Sequence, residues 1–139
     1  MSGETIQVES AYSSIVASAA ILNTAFSVES STVSTGVGTA NDRYPLIDFK
    51  LDVTVAPVAA GTVNLYRRSG DGVDQAEIPS GTNKSKYVGS FSLTTVADQI
   101  YLSGVANIDK NDTYLLENTT GSSVTCQLFI RARSYSAAA

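Results

Sequence analysis

The sequence predicts an all-β protein, an antiparallel β-sandwich of about eight strands with a jelly-roll-like arrangement. Three observations carry this. From Leu46 to Val55, apolar Ile47, Phe49, Leu51, Val53 and Val55 alternate with Asp48, Lys50, Asp52 and Thr54. A period of two sends these sets to opposite faces of a sheet, and one apolar face with one wet face marks antiparallel sheet packed on one side. Near the C-terminus, Val124, Cys126, Leu128, Ile130 and Ala132 alternate in the same way with Thr125, Gln127, Phe129, Arg131 and Arg133. Short apolar runs recur between these two segments, separated by turn signals, which is the pattern of a sandwich or barrel.

The elements follow in order. Thr5 to Glu9 alternates, with Ile6 and Val8 on one side, and reads as a first strand or an extended arm. Ser13 to Val28 is mixed. Ile15, Val16, Ala19, Ala20, Ile21 and Leu22 partly follow a helical face, and Ala favours helix. The flanking Ser and Thr, with Ala25-Phe26-Ser27-Val28, favour strand, which is the preferred reading. Ser30 to Asn41, with Gly36 and Gly38, reads as a loop. After the strand at Leu46 to Val55, Pro57 and Gly61 mark a turn. Thr62 to Arg68 resumes as strand, with Val63 and Leu65 inward and Asn64, Tyr66 and Arg68 outward.

Ser69-Gly70-Asp71-Gly72 opens an irregular segment reaching Ser85, a length that suits an exposed functional loop. Lys86 to Thr94 is a strand with Tyr87, Phe91 and Leu93 on one side and Val88 on the other. Gln99 to Leu102 and Thr113 to Glu117 are short strands around a polar turn at Asn107 to Asp112. The expected organisation is an N-terminal arm or edge strand at residues 1–10, one sandwich domain at 11–135 and a tail at 136–139. The expected core holds Ile47, Phe49, Leu51, Val53, Leu65, Leu128 and Ile130.

At 139 residues the chain is long enough to bury a core without metal or disulfide staples. Hydrophobic residues make up 43% and charged residues 16%, beside 19 Ser and 14 Thr, a balance suited to strands and turns. A net charge of −4 argues against broad, salt-driven nucleic-acid binding, which needs clustered cations. Cys126 is the single cysteine, so no intrachain disulfide forms, and its place on an apolar strand face reads as a buried structural thiol. No run is long and apolar enough to span a bilayer. Met1-Ser2-Gly3-Glu4 lacks the basic start of a signal peptide, so secretion by that route is not expected. The glycosylation patterns at Asn83, Asn111 and Asn118 are therefore read as chance.

Catalysis of the Ser-His type is excluded by the lack of histidine, and one cysteine without histidine makes no zinc set. Asp71 with Asp74, and Asp109 with Asn111 and Asp112, carry oxygen ligands that calcium favours. Polar turns need Asp and Asn for backbone reasons too, and that reading is preferred. No carboxylate pair stands out among 13 acidic residues, and the Gly-rich pieces at Gly36-Val-Gly38 and Gly70-Asp-Gly72 fit no phosphate loop. Arg67, Arg68, Arg131 and Arg133 would form a basic patch if their strands were neighbours; a solvated rim paired with acids is preferred. The seven tyrosines are dispersed along the chain. No catalytic residue, cofactor or metal is expected.

From Tyr44 onward the chain resembles a group of small virion proteins of tailed bacteriophages. The likeness rests on Tyr44-Pro-Leu-Ile-Asp-Phe-Lys-Leu51, Pro57-Val-Ala-Ala-Gly-Thr-Val-Asn-Leu-Tyr66 and Arg68-Ser-Gly-Asp-Gly72. It continues through Tyr87-Val-Gly-Ser-Phe91, Tyr114-Leu-Leu-Glu-Asn-Thr-Thr-Gly121 and Phe129-Ile-Arg-Ala-Arg-Ser-Tyr135, about two thirds of the chain. The resemblance implies a jelly-roll-like capsid cement or decoration protein on the virion surface, made in the host cytoplasm and bound to the major capsid protein. Shell sites come in symmetric sets, so a homo-oligomer, a trimer, is expected, without membrane or nucleic acid as partner. Thr5, Ile6, Gln7 and Val8 are the expected assembly contact. The alternative is a tail or head-fibre module that recognises host surface glycans.

Overall fold

The computed structural model describes residues 5–9, 11–28, 30, 46–68, 87–106 and 113–137. Eight strands are formed among the described residues: β1 (Thr5–Glu9), β2 (Ser13–Ile21), β3 (Leu46–Val55), β4 (Gly61–Arg68), β5 (Tyr87–Leu93), β6 (Asp98–Ala106), β7 (Thr113–Asn118) and β8 (Val124–Ala137). They make two antiparallel sheets. In sheet A, β8 lies between β3 and the collinear pair β1 and β2, and β3 continues to β6. In sheet B the order is β5, β4, β7.

The chain crosses from sheet A to sheet B after β2. Ala25 N donates to Leu22 O at 3.0 Å, and Thr24 takes a positive φ of 65°. From there the backbone runs along the free edge of β7: Thr24 N to Asn118 O, Asn118 N to Ala25 O, Ser27 N to Leu116 O and Ser30 N to Tyr114 O. The hydroxyls of Ser27 and Ser30 accept from Leu116 N and Tyr114 N, at 2.9 Å each. Serine side chains thus stand in for backbone acceptors in an irregular ladder. With this segment as a fourth member of sheet B, the strand order is that of a jelly roll.

The core lies between the sheets. Ile47, Phe49, Leu51, Val53, Val63, Leu65, Phe91, Leu93, Tyr114, Leu116, Val124, Cys126, Leu128 and Ile130 are buried in it, all seven expected members included. Phe49 meets Tyr114 edge-on, with ring centroids 4.9 Å apart, so the two sheets are joined by a favourable aromatic pair.

The tight-turn end of the sandwich is held by Asn118, fully buried. Its amide nitrogen donates to Ile21 O at 2.8 Å and Ser122 O at 2.7 Å, and its Oδ1 accepts from Thr120 N and Thr120 Oγ1. One side chain thereby ties β2, β7 and the turn into β8. Nothing of it remains for a glycan, which agrees with the chance reading of that acceptor pattern. Beside it Gly61 passes so close to Thr120 that an added Cβ would lie 2.7 Å from Thr120 Cα.

Several expectations are corrected. Val55 is not inward: a register shift between Val53 and Val55 turns it out, and it is 55% exposed. Tyr87 does not share a face with Phe91 and Leu93, because a register shift between Leu65 and Tyr66 makes β5 slip against β4. Tyr66 is on the outer face of sheet B as expected yet buried, between Phe26 and Tyr87 at centroid distances of 5.8 and 5.9 Å. The mixed signal in β2 has a cause too. Register shifts between Ser14 and Val16 and between Val16 and Ala19 insert residues opposite β8, which spoils the period of two. The strand at Gln99 to Leu102 runs longer, over Asp98–Ala106. Ser136 and Ala137 belong to β8 rather than to a tail, because β1 pairs with them. Asp71, Asp74, Asp109, Asn111, Asp112, Asn83 and the glycines at 36, 38, 70 and 72 lie outside the described residues.

Candidate functional site

Alternation along β3 and β8 turns Asp48, Lys50, Asp52, Gln127, Phe129 and Arg131 away from the core, onto the outer face of sheet A. Register then sets them in rows. Lys50 faces Phe129 on one side and Tyr101 on the other, and Phe129 faces Ser14 in turn. The next row places Asp52 between Gln127 and Gln99. Arg131 faces Asp48 in the row on the opposite side.

Lys50 Nζ sits 4.3 Å from the ring centroid of Phe129 and 5.1 Å from that of Tyr12. Arg131 Cζ is 4.8 Å from the Tyr12 ring, and Tyr12 and Tyr101 lie at 6.1 Å with a 60° tilt. Rings carry negative charge on their faces, so each cation here is attracted to a ring. Tyr101 is 55% exposed; Tyr12, Lys50 and Phe129 are half-buried. The result is an aromatic surface with one ammonium in its midst.

Asp48 differs from its neighbours. It was expected on the wet face, yet it is fully buried because Arg131 folds over it. Its Oδ1 accepts from Gly104 N at 3.0 Å, where β6 bulges opposite β3. Gly104 has a φ of 74°, which a residue with a Cβ adopts only with strain.

Sheet B carries a second polar cluster on its outer face. Glu117 Oε1 accepts from Tyr66 Oη at 3.0 Å and from Asn64 Nδ2 at 3.2 Å. Asn64 Oδ1 accepts from Ser90 Oγ, which is in contact with Tyr87 Oη at 2.6 Å. Burial, with the Glu117 hydrogen bond and charge added, pushes the Tyr66 phenol up to about 12. Burial alone pushes the Cys126 thiol up to about 12, a thiol kept from becoming the reactive thiolate. Among the described residues no group of three His, Cys, Asp or Glu is placed to hold a metal ion, and no helix is long and apolar enough to cross a membrane.

The sequence-predicted contact residues Thr5, Ile6, Gln7 and Val8 form β1, opposite Ala137, Ser136, Tyr135 and Ser134. β3 starts at Leu46, opposite Arg133, so among the described residues β1 and the last part of β8 pair with each other alone. They form a two-stranded ribbon beyond β3. The four arginines do not make one patch: Arg67 and Arg68 are on β4 in sheet B, and Arg131 and Arg133 on β8 in sheet A. The aromatic face was missed by sequence reasoning, since Tyr12, Tyr101 and Phe129 are far apart in the chain. Its one trace was Phe129, an aromatic ring in the outward set of β8.

No family model matches the chain, and no curated protein matches it. Among solved structures, a "Carbohydrate-Binding Module CBM36 in complex with calcium and xylotriose" is similar over 94% of this chain and 99% of that one. The identity is 16% and the TM-score 0.38, too low for the likeness to carry a functional argument.

Proposed function

We propose that this protein is a bacteriophage virion structural protein, a capsid cement or decoration protein that binds the major capsid protein on the outside of the shell and acts as a homo-oligomer, a trimer. Its task is protein–protein contact and it performs no catalysis. Beside the sequence resemblance, one observation supports this reading: the ribbon of β1 and residues 134–137 of β8. An isolated two-stranded ribbon is marginally stable in water. Its edges, unpaired among the described residues, offer backbone donors and acceptors to a further strand from a neighbour. Deleting residues 1–10 tests it. The expected result is a domain that keeps its circular dichroism but no longer binds shells lacking the protein. Unchanged affinity for those shells overturns the placement of the contact.

A second reading is a tail or head-fibre module that recognises host surface glycans. The grouping of Tyr12, Tyr101 and Phe129 around Lys50 favours it, since ligand sites combine aromatic surface with a few placed polar groups.

A further inference from the structure

We propose that the outer face of sheet A binds a saccharide bearing a carboxylate, a uronic-acid unit of an acidic polysaccharide; this rests on the glycan-recognition reading and specifies its ligand. The rings supply the surface. Tyr12, Phe129 and Tyr101 come from the chain before β2, from β8 and from β6, and they flank Lys50 across the sheet. The apolar C–H face of a pyranose packs on such rings, whose faces are electron-rich.

Lys50 supplies the charge. It has no carboxylate partner among the described residues; its ammonium rests on two ring faces. A ring attracts the cation without neutralising it, so three donors remain for an incoming anion. A carboxylate fits better than a phosphate for a reason visible in the same face. A phosphate monoester carries close to two negative charges at neutral pH and needs a second cation to match it. The Arg131 fork is already committed, with Nε and Nη2 both donating to Asp48 Oδ2 at 3.0 and 2.7 Å. One point charge suits a single negative charge.

The neighbouring row completes the specificity. Gln127 Nε2 donates to Ser14 Oγ at 2.8 Å and Gln99 Oε1 accepts from Tyr101 Oη at 3.3 Å, so it is the Gln99 amide nitrogen that donates to, and the Gln127 amide oxygen that accepts from, sugar hydroxyls. Asp52, between them, disfavours a second acid in that row. The acid group therefore belongs over Lys50, with neutral sugar along the Gln99–Asp52–Gln127 row.

The test uses the full chain without shells, so it is independent of the capsid reading. A short oligogalacturonate and its methyl ester are titrated by calorimetry and by amide NMR. The acid is expected to bind and to shift the amides of Lys50, Tyr101 and Phe129, and the ester to bind about tenfold more weakly. Tyr101→Ala and Lys50→Gln should each weaken binding of the acid by about tenfold or more, while Tyr87→Ala, on sheet B, leaves it unchanged. Equal binding of acid and ester overturns the acidic ligand but keeps the glycan reading. Binding of neither overturns both, and binding that ignores Tyr101→Ala overturns the site. The ester comparison uses the unmodified protein, so it stands even if a variant fails to fold.

Discussion

Arg131 closes over Asp48 on the outside of sheet A, with Nη2 at 2.7 Å and Nε at 3.0 Å from the same carboxylate oxygen. The other oxygen is taken by Gly104 N in the bulge of β6. Asp48 is thus a buried charge with a cation on one side and a backbone donor on the other, and it joins three strands of sheet A. Removing one partner of a buried pair leaves an uncompensated charge, whereas removing both removes the desolvation cost as well. Arg131→Met is therefore expected to cost about 3–5 kcal/mol. The double change Arg131→Met with Asp48→Leu should recover most of that loss. Urea denaturation of the three proteins checks this; a double variant no better than the single one would show the pair to be a net stabiliser.

Asn118 acts as the staple of the opposite end. Asn118→Ala removes a side chain that serves Ile21 O, Ser122 O and both donors of Thr120. Each buried group left unpaired costs about 1–3 kcal/mol, so a loss of about 3 kcal/mol or more is expected. Calorimetric melting would reveal it; a loss below about 1 kcal/mol would mean that water replaces the amide.

Two glycines separate backbone from side-chain crowding. At Gly61 an added Cβ would meet backbone, Thr120 Cα at 2.7 Å, and the sandwich end would have to shift. At Gly89 the same distance is to Leu102 Cδ2, the tip of a side chain that can turn away. Gly61→Ala should therefore destabilise by about 1–3 kcal/mol and Gly89→Ala by clearly less. Equal losses in chemical denaturation would contradict this contrast.

Alkaline pH should weaken the fold. Tyr66 is raised from 10.0 to about 12 and Cys126 from 9.0 to about 12 in the folded chain. Between the unfolded and folded values the unfolded chain binds fewer protons, so stability is full below about pH 9 and falls as pH rises toward 12. Thermal melting should show a plateau to that point and then a decline. Cys126→Ala should remove the part that begins near 9 and leave the part beginning near 10. In the native state Cys126 should resist a thiol reagent at neutral pH and react once the chain unfolds; rapid native labelling would refute its burial.

Phe49→Ala empties the centre of the core, where the ring is fully buried against Tyr114. A loss of about 3–5 kcal/mol is expected from equilibrium unfolding. A loss under about 1 kcal/mol would mean that the surrounding side chains collapse into the space.

What the sequence by itself determined is the class of fold and the inner faces of its regular strands. The alternation at Ile47 to Val53 and at Val124 to Ile130 states which side chains leave water, and burial follows the hydrophobic effect one residue at a time. What tertiary structure alone decided lies where that rule meets register. The bulges in β2 break its alternation, the shift beside Tyr66 turns Tyr87 to the other face, and β1 carries β8 through Ser136 and Ala137, where no apolar pattern marks a strand. Asp48 looks wet in the sequence and is buried, because Arg131 sits opposite it only once β3 and β8 have paired. The aromatic face around Lys50 has the same origin: Tyr12, Tyr101 and Phe129 are distant along the chain and become neighbours through the hydrogen-bond register of β2, β8, β3 and β6. Local alternation needs only neighbours in sequence, whereas a site on a sheet is made by strands whose order no local pattern specifies.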